Sequence, residues 1–269
     1  MYYFSMKKLL PLSFLLLLGC ATPDSQESLR DVSAYLQKSI IKKEKFDILA
    51  FESDLAQCNG ERLFVFVEGD GAAWKSRNVV SNDPTPKKPT SLFLLNSVQK
   101  KCSLYLARPC QYTGQKCDKK EFTSHRYSPA VLKNYNEILT TYKQKYAIDD
   151  FVLVGYSGGG AVVALLATMR EDISAIVTVA SNLDTDAWTS YHNVTPLYGS
   201  LNPAHFAYKL EDIPQYHLVG SRDTIVPQTV FESYKSRFSN QKNIHLFVYD
   251  NGHYDGWDCF FREFFQSLY

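Results

Sequence analysis

The chain has almost no excess of charge of either sign. Its 269 residues include 29 lysines and arginines against 28 aspartates and glutamates, which gives a formal net charge of +1. Nucleic-acid-binding surfaces need a basic excess, so this balance argues against a nucleic-acid partner. The sequence also lacks internal repeats and, beyond its first twenty residues, low-complexity segments, which argues against repeat architectures.

Long hydrophobic runs are missing as well. The apolar run near the N-terminus, Leu9 to Leu18, has ten residues, whereas a helix needs about 20 to cross the hydrocarbon core of a bilayer. Lys7 and Lys8 precede this run. A short basic segment followed by a short apolar one is typical of a secretory leader rather than of a membrane span.

The leader ends in Leu-Leu-Gly-Cys at positions 17–20, a segment that resembles the lipobox of bacterial lipoproteins. That resemblance implies a signal peptide over residues 1–19 and a lipidated Cys20 that anchors the mature protein to a membrane. Ala21 stands where an aspartate would retain a lipoprotein in the inner membrane, so the resemblance favours an outer-membrane anchor facing the periplasm. The alternative is ordinary cleavage with an incidental cysteine. Translation can start at Met1 or at Met6.

Six cysteines in an exported chain favour disulfides. Cys58 and Cys102 each precede a predicted strand, which would place both at the same edge of a parallel sheet and makes their pairing plausible. Cys110 and Cys117 share a glycine-containing loop that a disulfide between them would close. If Cys20 carries lipid, Cys259 has no obvious partner.

The length and the apolar content predict one large domain. With 45% hydrophobic and 14% aromatic residues, 269 residues form one well-buried core but not two ordinary domains with a linker. From residue 46 to residue 269, short apolar runs alternate with amphipathic stretches, which predicts an α/β fold with a mostly parallel, doubly wound sheet. Residues 20–45 are predicted to be a tether followed by a short helix within Leu29 to Lys42. The predicted strands lie in residues 46–51, 63–67, 103–107, 151–154, 175–179, 216–219 and 244–248.

Three helices are predicted between or after these strands. Ser128 and Pro129 form a cap and first-turn pair for a helix that reaches about Tyr146. A second helix runs from Gly158 to Met169, and a third carries an aromatic stripe near the C-terminus. Between residues 181 and 214 the periodic pattern dissolves, which predicts a short irregular excursion over the site.

A nucleophile motif lies between the strand at 151–154 and the following helix. Gly155-Tyr156-Ser157-Gly158-Gly159 matches Gly-x-Ser-x-Gly, in which a serine occupies a sharp strand-to-helix turn and the glycines remove collisions at the flanking positions. The N–H groups at the start of that helix would point toward an oxyanion. A purely structural glycine turn is the alternative interpretation.

A serine hydroxyl needs an imidazole to take its proton, and His253 is the best placed of the six histidines. It follows the last predicted strand in the turn Asn251-Gly252-His253, where a loop can aim it at Ser157. The matching acid is predicted to be Asp223, which follows the strand at 216–219 and precedes His253. Asp184 or Asp186, after the preceding strand, is the competing candidate.

An oxyanion site is predicted from Gly158 and from the segment Glu68-Gly69-Asp70-Gly71, which follows the strand at 63–67. The N–H of Gly158 would be one donor, and the N–H of Asp70 the other, with Gly71 as second choice. A simple turn at the strand end is an equally good interpretation of this segment.

Together, residues 68–74, 155–161 and 220–227 with Asn251-Gly252-His253 resemble the α/β-hydrolase superfamily, and more narrowly bacterial lipoprotein serine hydrolases of the esterase or lysophospholipase type. The segment Glu-Gly-Asp-Gly departs from the His-Gly pattern common in esterases. The resemblance implies an ester-cleaving serine hydrolase with no metal and no organic cofactor, whose substrate is a small-molecule or lipid ester. A peptidase or acyltransferase on the same residues, and a membrane-tethered binding protein without activity, are the alternatives.

Aromatic residues around the excursion are candidates for the walls of the substrate pocket. They are Tyr156, Trp188, Tyr191 and Tyr198, with Phe206 as a further candidate. Arg108, just beyond a strand end, is interpreted as a surface arginine, with contact to an acidic substrate group as the alternative.

Overall fold

The computed structural model describes residues 35–254 and 256–268. The predicted signal peptide, Cys20 and the tether lie outside these residues, as does Asp255. Ten strands are described, and their bounds are β1 Gln37–Ile41, β2 Ile48–Glu52, β3 Leu63–Val67, β4 Trp74–Ser76, β5 Val79–Val80, β6 Ser103–Leu106, β7 Phe151–Tyr156, β8 Ile173–Val179, β9 Gln215–Gly220 and β10 Ile244–Tyr249.

Eight of these strands form one sheet in the order β1-β2-β6-β3-β7-β8-β9-β10. From β6 to β10 all neighbours are parallel, while β2 is antiparallel to both β1 and β6. The central strands β3 and β7 have no exposed residue, which is expected where a parallel sheet is covered on both faces. The predicted α/β fold with a mostly parallel sheet is confirmed.

The helices are α1 Thr90–Val98, α2 Pro129–Tyr146, α3 Gly158–Ala167, α4 Thr185–His192, α5 Gln228–Lys235 and α6 Trp257–Leu268. Leu63, Val65 and Val67 of β3 belong to the apolar cluster that includes α2 and α3, whereas Phe64 and Phe66 belong to the cluster that includes α1 and α6. Alternate residues of a strand point to opposite faces, so helices cover the sheet on both sides.

The N-terminal boundary of the domain differs from the prediction. The described part of the predicted helix at Leu29 to Lys42 contains strand β1, which pairs with β2 from Gln37↔Glu52 to Ile41↔Ile48. The helix prediction is therefore wrong for residues 37–41, because pairing with the edge of the sheet outweighs a weak helical pattern. The sheet begins at residue 37 and not at residue 46.

The excursion between residues 181 and 214 is less irregular than predicted, because it contains α4 and a 3₁₀ helix, Pro203–Lys209. Helices α1 and α5 and the small hairpin of β4 and β5 were not predicted. Ser128 caps α2, since its Oγ accepts from the N–H of Val131 at 3.4 Å. Among the described residues, no helix has the length and apolar character to cross a membrane.

Both predicted disulfides are present, Cys58–Cys102 and Cys110–Cys117. The first links the 3₁₀ turn before β3 to the start of β6. It therefore lies at the amino ends of the parallel strands, whereas Ser157 lies at the carboxyl end of β7. Cys259 is disulfide-bonded as well; the lack of a partner was expected only if Cys20 carries lipid, and Cys20 lies outside the described residues.

Candidate active site

Ser157 occupies a strained turn between β7 and α3. Its backbone has φ 51° and ψ −120°, a region that residues other than glycine rarely adopt. A Cβ added to Gly155 would lie 2.5 Å from the carbonyl oxygen of Gly159, and one added to Gly159 would lie 2.3 Å from the carbonyl oxygen of Val67. The spacing Gly-x-Ser-x-Gly is therefore a steric requirement of this turn.

The structure brings Ser157, His253 and Asp223 together. Nε2 of His253 lies 3.0 Å from Oγ of Ser157, and Nδ1 of His253 lies 2.7 Å from Oδ2 of Asp223. Both distances are those of hydrogen bonds. A proton on Nδ1, donated to the carboxylate, leaves Nε2 free to accept the proton of the serine hydroxyl.

The carboxylate of Asp223 is held in place from its other oxygen. Oδ1 accepts from the N–H groups of Ile225 and Val226, both at 2.8 Å, and the residue is 4% exposed. Two backbone donors fix the orientation of the carboxylate, which in turn fixes the plane of the imidazole.

The competing acids are engaged elsewhere. Asp184 accepts from backbone N–H groups at the start of α4, from Asn202 Nδ2 at 2.8 Å and from Ser233 Oγ at 2.7 Å. Asp186 lies 3.0 Å from Nε2 of His205. Neither carboxylate is the one bonded to His253.

The loop that carries His253 is supported by β7 and α6. The hydroxyl of Tyr156 donates to the carbonyl oxygen of His253 at 2.9 Å, and Nε1 of Trp257 donates to the same oxygen at 3.0 Å. Trp257 is the first residue of α6 and is 1% exposed. The packing of the last helix against the sheet thus sets the position of the imidazole.

The segment Glu68 to Gly71 lies against the start of α3. A Cβ added to Gly69 would lie 3.3 Å from Cβ of Ser157, and one added to Gly158 would lie 2.1 Å from Oδ1 of Asp70. The Asp70 side chain is therefore a neighbour of the predicted donor Gly158, and the backbone of Gly69 lies beside Ser157.

The Asp70 side chain is the centre of a buried ionic network. Its carboxylate accepts from Arg108 Nη1 at 2.9 Å, from Arg126 Nη1 at 2.7 Å and from the hydroxyl of Tyr127 at 2.9 Å. Burial alone would raise the pKa of Asp70, but the charges of Arg126 and Arg108 outweigh burial and lower it. The carboxylate is ionised and holds the segment that carries the predicted oxyanion donor.

Arg108 belongs to this network, so its interpretation as a surface arginine is wrong. It is 4% exposed, and its Nη2 donates to the carbonyl oxygen of Arg126. The second arginine, Arg126, and Tyr127 were not singled out in the sequence. No local motif marks them, because their contacts to Asp70 span 56 and 57 residues of chain.

Glu68 is a second buried carboxyl group beside the nucleophile. It accepts from the N–H groups of Gly69 at 2.9 Å and Ser91 at 3.2 Å, and from the hydroxyl of Tyr105 at 3.1 Å. Desolvation by burial raises its pKa to about 7, although these hydrogen bonds act in the opposite direction. Glu68 thereby connects the oxyanion segment to α1.

A cavity of about 600 Å³ opens at Ser157 and His253. Tyr156 and Trp188 line it, as predicted, and so do Asp70 and Arg126. Residues that line it without having been predicted from the sequence include Trp74, Lys87, Lys88, Ile225 and Tyr254. The adjacent pair of lysines is visible in the sequence, but nothing there relates it to Ser157.

The expectation that Tyr191 and Tyr198 line the pocket is not met. Their side chains lie largely in solvent, with exposures of 55% and 82%, and neither contributes to the wall of this cavity. Phe206 is partly buried and packs against the core. Within residues 35–254 and 256–268, no three His, Cys, Asp or Glu side chains are grouped as metal ligands would be.

Known structures share this fold. An esterase of Pyrococcus furiosus superimposes with a TM-score of 0.62 at 16% identity, over 89% of this chain and 92% of that one. Est1E of Butyrivibrio proteoclasticus gives a TM-score of 0.55 at 15% identity, over 86% and 98%. A predicted CIB-like hydrolase of Thermoplasma acidophilum gives 0.53 at 17%, over 87% and 99%. At such identities the likeness establishes the fold, which is that of the α/β-hydrolases. No protein-family model and no curated protein sequence matches the chain.

Proposed function

We propose that this protein is a serine hydrolase that cleaves carboxylic esters through an acyl-enzyme. The observation that carries the proposal is the chain of hydrogen bonds from Asp223 through His253 to Oγ of Ser157, at the wall of a cavity of about 600 Å³. A buried carboxylate, an imidazole and a hydroxyl in this order are the groups that acyl transfer requires.

In the proposed first step, Oγ of Ser157 attacks the ester carbonyl while Nε2 of His253 accepts its proton. The imidazolium that forms is stabilised by Asp223, which stays ionised. His253 then gives the proton to the leaving alcohol. In the second step, water attacks the acyl-enzyme with His253 again as base, and the acid is released as Ser157 recovers its proton.

The tetrahedral intermediate carries a negative charge that needs donors. The N–H groups of Gly158 and Asp70 are the proposed ones, because Gly158 begins α3 and Asp70 follows Gly69, whose backbone lies beside Ser157. One such donor typically contributes about 2.7–4 kcal/mol to the stability of the transition state.

Labelling with a fluorophosphonate probe tests the nucleophile. The wild-type protein should form a covalent adduct on Ser157, found by mass spectrometry of the labelled peptide, and Ser157→Ala should form none. Ser181→Ala is the matched control, because Ser181 is a buried serine near the turn that donates to the carbonyl oxygen of Gly155. A wild-type protein that is folded but not labelled would remove the enzymatic proposal and leave a membrane-tethered binding protein.

Ester and amide substrates separate the first candidate from peptidase activity, and identifying the acyl product as free butyrate or as an ester of an added alcohol separates it from acyltransferase activity. Peptidase activity has support from one likeness: a puromycin hydrolase structure gives a TM-score of 0.58 at 13% identity, although this chain covers only 36% of it. With p-nitrophenyl butyrate and butyryl p-nitroanilide, the proposal expects turnover of the ester and little of the anilide. Preferential cleavage of the anilide would favour the peptidase.

The membrane anchor at Cys20 remains a proposal that rests on the sequence of the leader. Mass spectrometry of the N-terminal peptide from the bacterial envelope tests it, and a lipid-bearing Cys20 with no signal peptide is the expected result. Because a sulfur held in a disulfide cannot carry a thioether-linked lipid, a Cys20 peptide found under non-reducing conditions cross-linked to another cysteine would contradict the anchor.

A further inference from the structure

The charged residues that line the cavity are unequally available to a substrate. Among the described lining residues, the cations are Lys87, Lys88 and Arg126, and the acids are Glu68 and Asp70. Both acids are occupied by hydrogen bonds from the protein. Lys87 and Lys88 are exposed at the mouth of the cavity.

The network behind Ser157 pairs two guanidinium groups with one carboxylate, and Glu121, which pairs with Lys45, lines a small cavity beside both arginines. Arg108 and Arg126 share the single carboxylate of Asp70, and the side chains of the two arginines are only 5% and 8% exposed. Solvent therefore screens the charge of Arg126 weakly, and a negative charge placed in the cavity would interact with it strongly.

Of the two arginines in the network, Arg126 is the one that lines the cavity. Its Nε donates to the carbonyl oxygen of Thr123 at 2.7 Å and its Nη1 donates to Asp70. A guanidinium has five N–H donors, so these two bonds leave others for a ligand. The ring of Trp188, 5.5 Å from the guanidinium carbon, covers one side of Arg126 and fixes its plane.

We propose that the preferred ester carries an anionic group, a carboxylate or a similar oxyanion, which Arg126 binds together with Lys87 and Lys88 while Ser157 attacks the carbonyl. This specificity rests on the proposed esterase function. Arg126 and both lysines line the same cavity as Ser157. Lys87 and Lys88 also attract an anionic ester from solution, and salt weakens that attraction.

Two pairs of esters test the proposal. Mono-p-nitrophenyl glutarate against p-nitrophenyl butyrate places the charge on the acyl side, and 4-(butyryloxy)benzoate against phenyl butyrate places it on the alcohol side. In at least one pair, kcat/KM for the anionic ester should exceed that for the neutral one on the order of tenfold. The preferred pair assigns the side of the ester that carries the charge, and 0.5 M NaCl should reduce the preference.

Variants connect the preference to these residues. Lys87→Gln with Lys88→Gln should lower the preference several-fold, and Arg126→Gln should lower it further. Lys119→Gln with Lys120→Gln is the matched control, since it removes the same charge from a 3₁₀ helix outside the cavity. If neither pair shows a preference, or if K87Q/K88Q leaves the preference intact, the proposal is overturned. The double lysine variant decides the matter should Arg126→Gln fail to fold.

Binding without chemistry separates this proposal from the esterase proposal. Trp74 and Trp188 line the cavity, so their fluorescence in the Ser157→Ala variant should report monoethyl glutarate at lower concentrations than ethyl butyrate. If this variant binds the anion, if K87Q/K88Q weakens the binding, and if the wild-type protein cleaves no ester, the anion site is retained and the esterase proposal is refuted. Cleavage of neutral esters with no preference for the anion would do the reverse.

Discussion

At the scale of single residues, the orientation of Asp223 can be tested directly by substitution. Its Oδ1 accepts two backbone N–H groups and its Oδ2 faces Nδ1 of His253. An asparagine can keep the backbone bonds through its carbonyl oxygen, but it then presents an NH₂ group to the imidazole. That group stabilises the tautomer with the proton on Nε2, which cannot accept a proton from Ser157.

Asp223→Asn is therefore expected to lower kcat for p-nitrophenyl butyrate by about 10⁴-fold while the protein stays folded. Steady-state kinetics and a thermal melt monitored by circular dichroism measure the two effects. Asp184→Asn is the control, because Asp184 caps α4 and does not contact His253. Loss of activity in the Asp184 variant with retention in the Asp223 variant would transfer the proposed role to Asp184.

Glu68 makes the stability of the fold depend on pH. Burial raises its pKa from 4.5 to about 7, so the folded state binds the proton more tightly than the unfolded chain does. The favourable contribution of this group is complete below pH 4.5 and disappears as the pH rises through 7. The shift corresponds to a loss of about 3 kcal/mol above that range.

Glu68→Gln is expected to remove this part of the pH dependence. The glutamine is neutral at every pH, its oxygen can accept from Gly69 and Ser91, and its NH₂ group can donate to the hydroxyl of Tyr105. The free energy of unfolding, measured by urea denaturation, should therefore fall less between pH 5 and pH 8 than in the wild type. An unchanged pH dependence in the variant would show that Glu68 is ionised throughout this range.

Sequence reasoning at this scale depends on whether a residue's role is local. Ser157, Asp223 and His253 could be proposed because each follows a predicted strand, and the ends of parallel strands meet at one edge of a sheet. The side chains of Glu68 and Arg126 could not be assigned a role, because their partners Ser91, Tyr105 and Asp70 lie 23, 37 and 56 residues away. Tyr191 and Tyr198 were assigned to the pocket by composition alone, and composition does not tell which side of an excursion a residue occupies.

At the scale of elements, α6 couples the core to the base. Phe261 and Phe265 of this helix pack edge-on or tilted against the sheet and each other, while Trp257 holds the carbonyl oxygen of His253. Any rotation of α6 would therefore displace the imidazole from Ser157.

Trp257→Phe is expected to lower kcat and to leave KM unchanged, since it removes one of two donors to the His253 carbonyl and touches no wall of the cavity. The lost hydrogen bond should cost about 1 kcal/mol of stability, measured by urea denaturation beside the kinetics. Phe260→Leu perturbs the same helix without contact to that carbonyl and should keep kcat. A change in KM with kcat unchanged would contradict the positioning role of α6.

Elements were predictable where their pattern is strong. Strands β3 and β7 are continuous apolar runs, and α2 has a serine cap followed by proline, so their types are evident from sequence. Helix α1 was missed, because it begins after Pro89 with no side-chain cap and its buried leucines include the adjacent pair Leu94 and Leu95. Strand β1 was mistaken for a helix because its stability comes from pairing with β2, a contact that no local pattern records.

At the scale of the whole molecule, the order of the strands is what the sequence could not supply. Strand β6 lies between β2 and β3, so the middle of the sheet joins segments that are far apart in the chain. The two disulfides act on this arrangement differently. Cys58–Cys102 encloses β3 and α1 with a separation of 44 residues, whereas Cys110–Cys117 closes a loop with a separation of 7.

The smaller loop lies nearer to the proposed chemistry. Gln111, next to Cys110, donates through Nε2 to the carbonyl oxygen of Gly69 at 3.1 Å and accepts at Oε1 from the N–H of Arg108. Loosening this loop would therefore disturb the segment that carries the proposed oxyanion donor. The larger disulfide lies at the amino ends of the parallel strands, away from Ser157, and does not adjoin the segment that carries the proposed oxyanion donor.

Replacing each disulfide by two serines should consequently rank the two variants in opposite orders for stability and for activity. From the entropy of loop closure, losing Cys58–Cys102 should cost about 4 kcal/mol and losing Cys110–Cys117 about 2 kcal/mol, measured by urea denaturation. Activity toward p-nitrophenyl butyrate, measured well below both unfolding midpoints, should fall more in C110S/C117S, because its loop positions Gly69 and Arg108. Equal activity in the two variants would mean that Gln111 holds the oxyanion segment without help from the disulfide.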